Sequence, residues 1–257
     1  MSFAFVSKTT FAQVPRLALQ HKFGIAGIAW DGAVTNRPGA RFGPRAVGPF
    51  FASCFFYLQD QHNRTNRTNR TNLTTNLTTN QPHQQIRQSS EMLCDGTHPV
   101  FDVTLDDVVG DAGDLALPNT SLEAMRTALM PQVRPLLARH RMAWLGGDHS
   151  VTLPLLRAYR EHSQTPLMVV HFDAHCDTWS DHFGEPSGHG TWVYEAVQEG
   201  LVLPTAFVQI GIRSPAERAA REYGVPFLCF LLLLFDAVVV VVVNYCFCCC
   251  WFTLDGW

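Results

Sequence analysis

Charge is scarce in this chain: Asp, Glu, Lys and Arg make up 16% of its 257 residues, below the quarter usual for globular domains. Neither sign dominates. A net charge of -3 and a pI near 6.4 leave no basic footprint for nucleic acid. There is also no cysteine framework of the secreted kind. Cys54, Cys94 and Cys176 are scattered, while Cys229, Cys246, Cys248, Cys249 and Cys250 crowd the end. The first residues lack a charged segment followed by an apolar one, so no signal peptide and a cytoplasmic location are expected. The length suits one α/β domain with a single large core.

Two stretches stand apart in composition. Residues 61–80 repeat Asn-Arg-Thr and then Asn-Leu-Thr-Thr, a polar pattern that cannot bury enough apolar surface to offset its ordering entropy. Its Asn-x-Thr matches at Asn63, Asn66, Asn69, Asn72 and Asn76 read as by-products of the repeat, since glycosylation needs a secretory context. The low-complexity insert is placed at 47–85, interrupting a domain that runs over 1–227.

The second stretch, 228–257, is a hydrophobic, cysteine-rich tail with an unbroken valine run at 238–243. Three readings of it stand. Residues 225–243 are long and apolar enough for a membrane span, with Asp236 as their one charge. A buried strand pair would suit the β-branched residues. Replacement of the true C-terminal third by read-through is the favoured account.

Between these stretches apolar runs alternate with helical patterns, as a parallel sheet requires. Strands are predicted at 23–29, 99–103, 142–145, 167–172 and 206–212. Helices are predicted at 121–140, broken by Pro131 and Pro135, and at 152–162, 191–199 and 215–223. Gly200 and Gly224 fall where helix C-caps belong.

Two blocks carry the chemistry: Gly146-Gly147-Asp148-His149 and Asp173-Ala174-His175-Cys176-Asp177, each after an apolar run. Ligands of open α/β sheets bind outside the carboxyl ends of strands. In the second block Asp, His and Asp fall at i, i+2 and i+4, which an extended segment would project to one side. Cys176 would then face the core on the other side. Histidine with carboxylate suits a divalent metal of intermediate hardness. Asp148 reads either as a partner that orients His149 or as a turn cap. His171 and His182 read as structural or surface groups.

These blocks resemble the first two metal motifs of the ureohydrolases, the arginase and agmatinase family. Gly39-Ala40-Arg41-Phe42-Gly43-Pro44-Arg45, His189-Gly190-Thr191 and Val208-Gln209-Ile210-Gly211-Ile212-Arg213 agree, and the resemblance covers roughly 21–46 and 86–226. It implies a three-layer arginase-like α/β fold with a mostly parallel sheet, here C-terminally incomplete. It implies two Mn2+ ions per intact site, with Asp173 bridging, His149 and Asp177 on one metal and His175 on the other. A metal pair lowers the pKa of water enough to supply a nucleophile for a poorly electrophilic guanidinium.

His189 matches the family's proton-shuttling histidine and, with Asp177, is the expected catalytic pair. A homo-oligomer and a small guanidino substrate are implied as well. His189 is expected at the substrate, and the loop 178–188 offers Asp181 and Glu185, which would repel a carboxylate and suit a cationic amine. That points to agmatine, giving putrescine and urea, as in polyamine biosynthesis; guanidinobutyrate stays open.

The family's third motif, Ser/Thr-x-Asp-x-Asp, supplies two more metal carboxylates and is not found in this chain. Asp236 and Asp255 are isolated. A catalytically impaired relative, or a membrane-tethered fragment, is therefore the alternative.

Overall fold

Strand β1 (Phe23–Gly27) anchors a sheet that is parallel on both of its sides, pairing with β4 (Val109–Asp114) and β5 (Arg141–Leu145). A computed structural model of the chain describes residues 10–35, 38–42, 97–98, 103–223, 239–245 and 248–254. Within them β2 (Thr97–His98) and β3 (Val103–Thr104) form a separate antiparallel pair. Farther along come β6 (Leu167–Phe172), β7 (Val202–Ile210), β8 (Val239–Tyr245) and β9 (Cys248–Leu254). The seven-stranded sheet runs β4-β1-β5-β9-β8-β6-β7. All its pairings are parallel except those of β9, which is antiparallel to β5 and β8.

The expected domain limit at 227 thus falls short of the sheet, because the tail supplies its two central strands. Their β-branched composition suits strands paired on both sides, in line with the strand-pair reading. No helix among the described residues is long and apolar enough to cross a membrane. The insert at 47–85, together with Gly224, Asp236 and Asp255, lies outside the described residues.

Alternation along the strands divides the sheet's two faces. Ala26, Met142 and Trp144 join the main core with Ile28, Leu153, Leu155, Trp192 and Phe207. Ile25 and Leu145 face the other way, against Phe11, Val109 and Ala143. The main core lies under helices α1 (Leu122–Leu137), α2 (Thr152–Ser163) and α3 (Trp192–Gln198). A short α4 (Arg218–Arg221) follows β7.

Helix α1 begins at Ser121, whose hydroxyl accepts from the Ala124 N–H at 3.1 Å. It buries Met125, Leu129, Val133 and Leu137, one residue per turn. The prolines do not break it. Pro131 and Pro135 both face solvent, where a helix is naturally convex and its carbonyls turn to water. Two interior prolines cost about 6 kcal/mol together, and burying four large apolar side chains returns about 6–12 kcal/mol.

Strand β4, Val-Gly-Asp-Ala-Gly-Asp, was not among the predicted strands. Its buried Asp111 accepts from the Phe11 N–H and the Gly113 N–H, both at 2.7 Å. A turn-forming composition is therefore held in an edge strand by hydrogen bonds to its own side chain.

Candidate metal centre

The first block leaves β5 along a continuation of β1. Ile28 N–H donates to Leu145 O, Gly147 N–H to Ile28 O and Asp148 N–H to Trp30 O. Gly147 is dictated by this approach: a Cβ there would sit 2.4 Å from Trp30 O. Asp148 then caps the short 3-10 turn His149–Val151, accepting from the Ser150 N–H at 2.8 Å, and its second oxygen accepts from the Ala33 N–H at 2.9 Å. Of its two expected readings the structure shows the cap. Burial pushes the Asp148 carboxyl above the usual range. Nearby, Asp31 accepts from the N–H groups of Gly39 and Arg41 and pairs with the Arg41 guanidinium.

The second block does not continue the strand. β6 ends at Phe172, and the chain turns, with Asp177 in the left-handed region at φ 53, a conformation Asp tolerates better than most residues. The expectation of one face at i, i+2 and i+4 is thereby corrected, as is Cys176 on the far side of a strand. Cys176 is nonetheless buried. The turn separates the three polar side chains: Asp173 and Asp177 are buried, whereas the His175 side chain is 50% exposed.

His149 Nδ1 lies 2.7 Å from Asp177 Oδ2 and 3.2 Å from Asp173 Oδ2. Asp177 Oδ2 also accepts from the Trp192 indole N–H at 2.8 Å, which ties the site to α3. His171 Nε2 lies 3.2 Å from Asp173 Oδ2. Donor atoms from His149, His171, Asp173 and Asp177 all fall within 4.8 Å of one another, in full burial. Asp173 Oδ1 points the other way, accepting from the His175 N–H at 2.9 Å and lying 3.3 Å from His175 Nδ1. Burial alone would raise the Asp173 carboxyl, but hydrogen bonds from His149 and His171 outweigh it and hold it well below the ordinary range. Two buried carboxylates meeting a histidine nitrogen form a donor set that fits a divalent cation.

Of the two readings of His171, structural or surface, the structure shows a buried group whose nitrogen joins the donor cluster. It is completely buried, and desolvation lowers its pKa. Its other nitrogen, Nδ1, meets Gln209 Nε2 at 3.0 Å. The sequence signal is Gln209 in the Val-Gln-Ile-Gly run, on the strand that pairs with β6.

His189 stands just before α3, with Nε2 2.5 Å from Thr35 Oγ1 and its ring 5.1 Å from that of His182. Desolvation lowers its pKa also. Asp181 and Glu185 are exposed. Asp181 accepts from the Gly184 N–H at 2.9 Å, closing a turn, and the backbone of Glu185 pairs with that of His182.

The family model described as "Arginase family" matches residues 73–228. This chain belongs to the arginase family. Among curated relatives, an agmatinase of Chromobacterium violaceum is 34% identical over 191 residues, covering 74% of this chain and 48% of the relative. A guanidinopropionase of Pseudomonas aeruginosa is 34% identical over 232 residues, covering 86% and 60%. The solved structure of a hypothetical agmatinase from Burkholderia thailandensis superposes with a TM-score of 0.60 at 30% identity, covering 82% of this chain and 55% of that one. This arginase-family chain therefore has the arginase-like α/β fold and spans about half to three fifths of the curated relatives it matches.

Proposed function

We propose that this chain derives from an agmatinase-type ureohydrolase, hydrolysing agmatine to putrescine and urea at a two-manganese centre, in the cytoplasm and as a homo-oligomer. The observation that carries the reading is the Asp173 carboxylate. One oxygen lies in the buried cluster with His149 and the other faces His175, the arrangement needed of a carboxylate shared by two cations. His149 and Asp177 would hold one ion and His175 the other. When bound, the metal pair supplies a nucleophile potent at neutral pH and charge to stabilise the transition state.

The protein's own groups do the rest. Asp177, gripped by the Trp192 indole, fixes the geometry around His149. His189, with its pKa lowered by burial, is available as a base that takes up a proton from the attacking water and then passes it to the leaving amine. Asp181 and Glu185 give the substrate loop a negative rim suited to a cationic amine. The agmatinase names among the relatives support agmatine, and the guanidinopropionase relative keeps carboxylate-ended guanidino acids as the rival class.

A second reading, a catalytically impaired relative, is favoured by the register of β8. Val243 pairs with Phe172, so Asn244 lies level with Asp173, and no carboxylate pair follows there. Urea release should be measured with Mn2+ for the full chain and for a chimera carrying a relative's C-terminal third. The expected result is weak or no turnover by the chain itself and agmatine preferred over arginine by the chimera. Preferential turnover of arginine by the chimera would overturn the substrate reading, and agmatine turnover by the full chain near 1–10³ s⁻¹, roughly the ordinary enzymatic range, would overturn the impaired one.

A further inference from the structure

Gln209 Nε2 lies 2.6 Å from the Cys176 carbonyl oxygen and 3.0 Å from His171 Nδ1. A carbonyl only accepts, so the atom facing it must be the amide nitrogen rather than the amide oxygen. The same NH2 group, with its second hydrogen, then donates to His171 Nδ1. That nitrogen is therefore the acceptor of the ring, and in the neutral imidazole the proton sits on Nε2. Nε2 in turn lies 3.2 Å from Asp173 Oδ2.

We propose that Gln209 and His171 form a positioning relay, in which the glutamine fixes the histidine tautomer and the Nε2–H orients Asp173 toward the cations. The inference rests on the two-metal reading of the site. It makes His171 a donor to a ligand rather than a ligand, although its nitrogen falls within the buried donor cluster.

The surroundings support a fixed ring. His171 packs edge-on against Trp192, at 4.9 Å, and Phe207, at 6.2 Å, and His149 lies 5.2 Å away. The three residues of the relay come from two paired strands and the turn between β6 and α3. His171 and Gln209 are direct neighbours across the β6–β7 ladder. Cys176 lies between the proposed ligands His175 and Asp177, so the Gln209 amide grips the turn that presents them. One side chain thereby sets both the ring that orients Asp173 and the backbone that carries its neighbours. Partners of this kind alter metal affinity by about 10–100-fold when removed.

The test uses the full chain and reads metal binding rather than turnover. Imidazole nitrogen chemical shifts of labelled protein should show His171 as the neutral Nε2–H tautomer, and the Nε2 proton should persist when Zn2+ is added as a diamagnetic probe. In Gln209→Leu the tautomer should become mixed. Mn2+ affinity, followed by the spectrum of free Mn2+, should fall about 10–100-fold in His171→Phe. His171→Gln places an amide N–H near the Nε2 position and should recover most of that loss.

A merely structural role predicts a different pattern, with both His171 variants lowering the melting temperature alike and no split in Mn2+ affinity. That pattern would overturn the proposal, as would an Nδ1–H tautomer or loss of the Nε2 proton on adding Zn2+. Should His171→Phe fail to fold, the tautomer in the wild type and in Gln209→Leu still decides. Absence of urea release by the chimera alongside the expected tautomer and affinity split would strike the catalytic reading and leave the relay standing.

Discussion

His149 Nδ1 and Asp177 Oδ2 meet at 2.7 Å across 28 residues of sequence, with both side chains buried. A proton on that nitrogen is shared between two carboxylates, and a divalent cation could take its place. His149→Ala should therefore abolish tight Mn2+ binding, a loss of at least about 100-fold in equilibrium dialysis. Asp177→Asn should weaken it less, since an amide oxygen still coordinates. Total occupancy in the unaltered chain should reach no more than about one Mn2+, because the second position has only His175 and a share of Asp173.

Metal should also stabilise the fold. A cation that binds the native state alone at about 100 times its dissociation constant adds about 2.7 kcal/mol. Melting followed by circular dichroism with Mn2+ and with excess chelator should show the difference. It should vanish in His149→Ala.

Gly147→Ala should be among the most costly single-methyl changes in the chain. Its Cβ meets Trp30 O at 2.4 Å and Ile28 O at 2.7 Å, both backbone atoms of the neighbouring segment. A loss of about 1–3 kcal/mol is expected, read as a lower urea midpoint at unchanged slope. A midpoint equal to wild type would mean that the first block is not pinned against Trp30.

Acid should destabilise the metal-free protein through its buried histidines. His171 and His189 have native pKa values below the usual 6.5, so the unfolded chain takes up their protons first. Their contribution is complete above about pH 6.5 and is lost as the pH falls toward the native values. Each group adds a slope of at most about 1.4 kcal/mol per pH unit, less for the partly exposed His189. Melting temperatures at pH 7.5, 6.5 and 5.5 should fall in that order, and His189→Gln should flatten the trend.

Much of the site was legible because its residues sit in short segments whose neighbours dictate their place. His149 follows an apolar strand and a glycine that only fits bare backbone, and Asp173 follows another such strand. What was not legible depends on chain direction after the strand ends. The alternation of an extended segment cannot hold through a left-handed Asp177, so His175 and Cys176 fall elsewhere than the pattern implies. His171 looked like an isolated polar residue in an apolar run, and its proposed role rests on Gln209, 38 residues away. Strand β4 was hidden because its glycines and aspartates spell a turn, until Phe11 satisfies Asp111. The prolines of α1 misled for the opposite reason, since local rules ignore which face of the helix they occupy.

Among the described residues the β8–β9 hairpin is the seam between two parallel blocks, β4-β1-β5 on one side and β6-β7 on the other. His149 belongs to the first block, and His171, Asp173 and Asp177 to the second. A cation held by both would be a rivet across that seam, with the hairpin as the spacer that sets its length. Occupancy of the proposed centre and closure of the sheet would then share one free energy, so each would report on the other. Any change in the tail that loosens the hairpin should appear first as a weaker metal, before the helices notice.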